Sequence, residues 1–151
     1  MPADAFYNLR NRRERERMRA LVERLSDDDL RRPVNAHWTV AALLLHIGFW
    51  DVRNRWLADK IRDGVPFSPS DVEPDDPTWV NDSTRPFLHA VPPRDAALLA
   101  LQLAEESDAG VASLPPERTW PADPTSLVNP LRAEHRAEHL DEIEAALGRE
   151  R

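Results

Sequence analysis

The chain of 151 residues has no cysteine. Disulfides, thiolate metal ligands and a cysteine nucleophile are excluded, so any thiol chemistry needs a thiol from outside. Only four glycines are present, and β-branched residues never alternate with polar ones over a useful length, so strands are not expected. No apolar run approaches the roughly 20 residues that span a bilayer. The opening stretch, residues 1–17, lacks the apolar core of a signal peptide, which makes the cytoplasm the expected compartment. The net charge of −7 argues against a nucleic-acid binder. What is present suits a globular protein: 41% hydrophobic and 31% charged residues, in a length that supports one domain, residues 1–151, with a real core.

Apolar residues recur at helical spacing in four longer segments. The first runs from about Ala5 to Leu25, with Leu9, Met18, Leu21, Val22 and Leu25 assigned to its inner side. Ser26 through Leu30 can start a short helix before Pro33. The second long segment runs from Thr39, a good N-cap, to about Asp63 and stops at Gly64. The third runs from about Pro93 to Ala112, with Ala97, Leu98, Leu101 and Ala104 on one side. The fourth is expected to begin at Asn129-Pro130, a cap followed by proline at the first helical position, and to end near Gly148. Between Gly64 and the Pro92-Pro93 pair lie seven of the fourteen prolines, counting both of that pair. Asp76-Pro77 can open a short helix there, carrying Trp79, Val80, Ser83 and Phe87. Short links elsewhere favour antiparallel neighbours, so the expectation is an all-α, up-down-up-down four-helix bundle.

Three of the five histidines fall where helices should face a core. At about 100° per residue, His135 and His139 project inside the apolar arc that includes Leu131, Leu140, Ile143, Ala146 and Leu147. Their i, i+4 spacing stacks the rings on one face. His46 shares an inward arc with Leu43, Trp50 and Leu57. A buried imidazole costs free energy unless it is hydrogen-bonded or ligates a metal. An HxxxH pair alone is a weak signal, since single inward histidines are usually satisfied core residues. One further inward histidine on a second helix strengthens it, giving a three-nitrogen face with an open position. His37 and His89 carry no such support and are assigned structural or surface roles. Residues 135–139 also match the H-x-x-E-H metalloprotease pattern, which we read as fortuitous. Glu138 beside the pair is a candidate base, although a solvated acid is the simpler account.

These residues resemble the DinB/YfiT-like superfamily. Trp38-Thr39-Val40, leading through Leu43 and Leu44 to His46 with Trp50-Asp51 beyond, is similar to its second-helix signature. His135-x3-His139 is similar to its last-helix pair, and Trp79-Val80-Asn81-Asp82 to its Asn-bearing segment before the third helix. The resemblance implies a metal-binding four-helix bundle, often dimeric, with His46, His135 and His139 as ligands of a divalent ion. Some relatives are transferases or isomerases that use mycothiol or bacillithiol. The isomerases carry a fused C-terminal domain not seen here, which leaves a simple transferase more open.

Three neutral imidazoles leave an ion's 2+ charge to act on whatever takes its open position. Bound water drops to a pKa of about 7, and a thiol is deprotonated. Zinc is expected first and nickel second. The leading reading is a metal-dependent enzyme that transfers a low-molecular-weight thiol to an electrophile. The alternatives are a non-catalytic metal-binding interaction module and a metal-assisted hydrolase. Arg132, one turn before the pair, and Arg53, two turns past His46, are candidates for an anionic group, though both read more simply as surface arginines. Leu45, Phe49, Val52 and Trp56 form a second apolar stripe on the second helix, from which a homodimer is expected. Arg10, Arg12, Arg13, Arg15, Arg17 and Arg19 are interrupted by Glu14 and Glu16, which reads as an ion-paired face rather than a nucleic-acid surface.

Overall fold

The computed structural model describes residues 5–148; residues 1–4 of the opening stretch lie outside the described residues. It is all-helical among the described residues, with α1 (Phe6–Arg24), α2 (Asp27–Arg31), α3 (Val40–Asp63), α4 (Thr78–Ala90), α5 (Pro93–Ala112) and α6 (Ala133–Gly148). No helix among these residues is long and apolar enough to cross a membrane.

Local chemistry sets the helix ends. The Thr39 side chain accepts from the Ala42 amide at 3.2 Å and starts α3. Gly64 ends α3 with φ of 70°, where a side chain would be strained. Ser26 and Asp29 form a reciprocal capping box that starts α2. The last helix departs from expectation, because it begins at Ala133 rather than at Asn129-Pro130. The cause is a tertiary cap. Asn11 of α1, almost fully buried, accepts from the Arg132 and Ala133 amides at 2.8 and 2.9 Å and donates to the Pro130 carbonyl at 2.7 Å. The first free amides of α6 are thereby satisfied from another helix, and residues 129–132 stay outside it.

The order of the helices also differs from the expected up-down-up-down. Gly48 of α3 meets Leu103 and Ala100 of α5, while Gly110 of α5 meets Arg55 and Ala58 of α3, so these helices run parallel. Arg132 of the α6 lead-in and Arg136 reach Asp51, whereas His139 reaches His46, so α6 is antiparallel to α3. Arg15 pairs with Asp108 and Arg19 with Glu105, which sets α1 antiparallel to α5. The main partners of α1 are α5 and α6, and α3 packs on α5, α4 and α6. The result is up-down-down-up. The physical reason lies in the proline-rich excursion. With 24 residues, α3 is about 36 Å long, and the chain must climb back before α5 can descend. Much of that climb is made by α4, whose Asn81 meets Trp50 and whose His89 meets Thr39.

Two apolar clusters fill the interior. The larger includes Met18, Leu21, Leu44, Ile47, Ala100, Ala104, Leu140 and Ile143; the smaller includes Tyr7, Leu57, Val111 and Val128. Between them in sequence, on four helices, sit the buried polar residues Asn11, Asp51, Asp108 and Arg136. Two expected core residues are outside: Leu9 is 57% exposed and Leu98 is 52% exposed. Leu9 is nine residues before Met18, which is half a turn round the helix, and Leu98 lies one edge beyond the arc set by Ala97, Leu101 and Ala104. Leu131 precedes α6 and packs, partly buried, against the smaller cluster.

Candidate metal centre

His46 sits in the second turn of α3, and His135 and His139 project from one face of α6, which runs the other way alongside it. The three rings converge. Centroids are 5.3 Å apart for His46 and His135, 4.9 Å for His46 and His139, and 4.6 Å for His135 and His139. One nitrogen from each lies within 4.8 Å of the others, and no other such group of histidine and carboxylate side chains occurs among the described residues.

The hydrogen bonding of these rings is incomplete. His46 is buried, yet neither ring nitrogen has a hydrogen-bond partner among the described residues, and its Nδ1 is sealed from solvent. His135 Nδ1 is likewise buried and unpartnered. Such orphaned groups are rare and call for an explanation. The 3.1 Å between the Nε2 atoms of His135 and His139 is near the span of two nitrogens that each lie about 2.0–2.1 Å from one ion. On the far side of its ring, His139 Nδ1 is 3.0 Å from Glu142, the carboxylate–histidine pairing that fixes a ligand's tautomer. Burial, reinforced by the charge of His139, lowers His46 from 6.5 to about 4, and His135 to about 2. Both rings are therefore neutral, as ligands must be, far below neutral pH. The donor set fits a divalent ion of the imidazole-preferring kind.

A cavity of about 560 Å³ opens over the histidines. Trp38 lies 5.0 Å from the His46 ring, with His89 stacked 5.6 Å away and the Arg85 guanidinium 5.1 Å from its ring centroid. Trp50 donates from Nε1 to Asn81 at 3.0 Å. Arg132 and Glu138 complete the wall beside the α6 pair.

The candidates from the sequence divide cleanly. His46, His135, His139, Glu138 and Arg132 share the cavity. Arg53 instead donates to the Asp71 carbonyl at 2.7 Å. His89 is structural, accepting from the Thr39 amide, while His37 is exposed. Arg85 carries no helical or motif signal of its own, but it follows Asn81 by four residues and His89 follows it by four more. That spacing places all three on the face of α4 turned to α3.

A family model described as the DinB superfamily matches residues 10–144. The chain belongs to the DinB superfamily. No curated protein and no solved structure matches it. For this DinB-superfamily chain, the three-histidine cluster is compatible with metal binding.

Proposed function

We propose that the protein is a metal-dependent enzyme that transfers a low-molecular-weight thiol to an electrophilic small molecule. His46, His135 and His139 hold a divalent ion, zinc first and nickel second, as one domain with the cytoplasm as its compartment. One observation carries the reading: three imidazoles, with no fourth ligating side chain among the described residues, meet on the wall of an open cavity of about 560 Å³. A divalent ion held there acidifies a thiol or water that reaches its remaining position. A closed staple between two helices would need four ligands and no cavity, so the geometry speaks for chemistry.

The chain's own residues do the rest. Trp38 and Trp50 offer flat apolar walls, and Asn81 is held in place by the Trp50 indole. Since the chain has no cysteine, the thiol is a cosubstrate, with mycothiol and bacillithiol the first choices. A second reading, metal-assisted hydrolysis, is favoured by the placement of Glu138 in the cavity wall, where a carboxylate could take a proton. Elemental analysis of untagged protein, followed by a thiol-consumption assay against epoxides, alkyl halides and activated alkenes, separates them. Metal with thiol-dependent loss of the electrophile supports the transferase; metal with ester hydrolysis that Glu138→Gln abolishes supports the hydrolase.

A further inference from the structure

The cavity has a second chemical feature besides its imidazoles. Arg132 lines it with a side chain only 12% exposed. Its Nε donates to Asp51 Oδ1 at 3.1 Å, and its two Nη groups have no acceptor among the described residues and are not sealed from solvent. Asp51 is itself fixed. It is fully buried, and its Oδ2 receives Nε and Nη2 of Arg136 at 3.3 and 3.2 Å. A guanidinium held by its Nε presents its two remaining nitrogens in a set direction, the fork that matches a carboxylate.

Arg85 adds a second cation from the opposite wall. Its Nη2 pairs with Asp82 at 2.6 Å, and its guanidinium packs over Trp38, 5.1 Å from the ring centroid. Three acids line the same cavity. Asp82 is neutralised by Arg85, and Glu73 leans toward Arg53 at 3.8 Å. Of the three, Glu138 alone has no ion pair among the described residues, and it is offset by Arg132, whose acid Asp51 is shared with Arg136, so the lining is near neutral without an ion and net positive with a divalent ion in place. That balance admits a monoanion and disfavours a cation.

We infer that the cavity takes a small organic carboxylate, its charge gripped by Arg132 and assisted by Arg85, with Asp51 as the positioning residue that aims Arg132. The aromatic walls of Trp38 and Trp50 suit a flat apolar body behind that charge. This rests on the cavity being the substrate site, as proposed above, but not on the ion.

Benzoate and benzamide have the same body and differ in charge. Their binding to the full chain is measured by calorimetry, both metal-loaded and metal-stripped. Benzoate is expected to bind at least about tenfold more tightly in both forms, the worth of one charge-assisted hydrogen bond. Arg132→Gln is expected to bring the two ligands level while ion content stays unchanged, and Arg132→Lys to restore part of the preference. Asp51→Asn is expected to shrink the ratio as well; a ratio is insensitive to a lowered fraction of folded chain. Should Arg132→Gln fail to fold, Arg85→Gln serves, with a partial loss expected. Equal binding of the two probes to the parent chain, no benzoate binding at millimolar concentration, or a preference that survives Arg132→Gln and vanishes on stripping the metal would each overturn the inference. A chain that holds no metal yet prefers benzoate would overturn the metal reading and leave this one standing.

Discussion

The Nε2 atoms of His135 and His139 face each other at 3.1 Å, and Glu142 holds the opposite nitrogen of His139. In the tautomer whose Nδ1 donates to that carboxylate, the Nε2 of His139 turns a lone pair inward. Two lone pairs and a third imidazole, drawn to one point, repel unless a proton or a cation lies between them.

A cation is the expected occupant. Untagged protein should carry about one divalent ion per chain by elemental analysis. His139→Ala should abolish retention and His46→Ala should weaken it sharply, since each removes one of three donors. Full occupancy in the His139→Ala protein would refute the ligand set. Glu142→Gln should lower metal affinity by roughly 10- to 100-fold, the usual effect of removing a carboxylate behind a ligating histidine.

The metal-free chain should lose stability on acidification. His46 and His135 are lowered from 6.5 to about 4 and about 2 by burial first and by neighbouring charge second. Below pH 6.5 the unfolded chain takes up protons at these rings while the folded chain does not. Their contribution is therefore whole above pH 6.5 and is lost as pH falls through the window down to about 4 for His46, and lower still for His135. The slope approaches about 1.4 kcal/mol per pH unit for each ring. Urea midpoints at pH 7, 6 and 5 should fall in order, and His46→Leu should flatten the trend. An unchanged slope in that variant would count against the buried, neutral state of His46.

Among the described residues, Arg136 is the only cationic side chain with no exposure. It donates to Asp108 at 2.8 and 2.9 Å, to Asp51 at 3.2 and 3.3 Å, and to the Asn11 carbonyl at 3.2 Å, tying α6 to α5, α3 and α1 at one level. Burial opposes its charge, but the two carboxylates outweigh that and raise its pKa. Replacing one member strands the others without water. Arg136→Met should cost roughly 3–5 kcal/mol in chemical denaturation, whereas replacing Asp51, Asp108 and Arg136 together by apolar residues should recover most of it. A single-variant loss under about 1 kcal/mol would show that water reaches this layer.

How much of this was legible in the sequence follows from angles. At 100° per residue, Arg136 falls between Leu140 and Ile143 on α6, Asp51 between Leu44 and Ile47 on α3, and Asp108 between Ala97 and Leu101 on α5. Charges at the centres of inward arcs are as readable as the histidines at their edges, and opposite signs on facing helices announce a buried network. The same arithmetic places Leu9 and Leu98 outside. The three-histidine cluster was readable because each ring lies on an apolar face. The parallel course of α3 and α5 was not, because no periodicity records the direction of a helix; it depends on how far the 64–92 excursion climbs. Nor could residue spacing show that Asn11 of α1 caps α6, since the two lie more than 100 residues apart.

That cap can be tested directly. Asn11→Ala removes the acceptor of the Arg132 and Ala133 amides and the donor to Pro130, all in a buried setting. A loss of about 1–2 kcal/mol is expected, with faster hydrogen exchange confined to the first turn of α6. Asn11→Asp keeps the acceptor and should retain protection of the two amides. Equal exchange in the parent and Ala variants would mean that water replaces the cap without cost.

The homodimer expected from α3 needs a narrower footing than its four-residue stripe. Leu45 is buried within the chain and Phe49 is partly covered, whereas Val52 and Trp56 are 42% and 50% exposed. Lys60 lies 4.3 Å over the Trp56 ring, so this indole presents one face to a cation and leaves its rim to solvent. A two-fold contact centred on Val52 and Trp56 would bury apolar surface that a monomer leaves wet. Light scattering at tens of micromolar should give twice the chain mass. Val52→Asp should convert the dimer to monomer without changing helical content, because the side chain is exposed and is not a member of either apolar cluster. A parent chain that scatters as a monomer at that concentration would defeat the prediction and leave the three-histidine cluster, which lies on the other face of α3, unaffected.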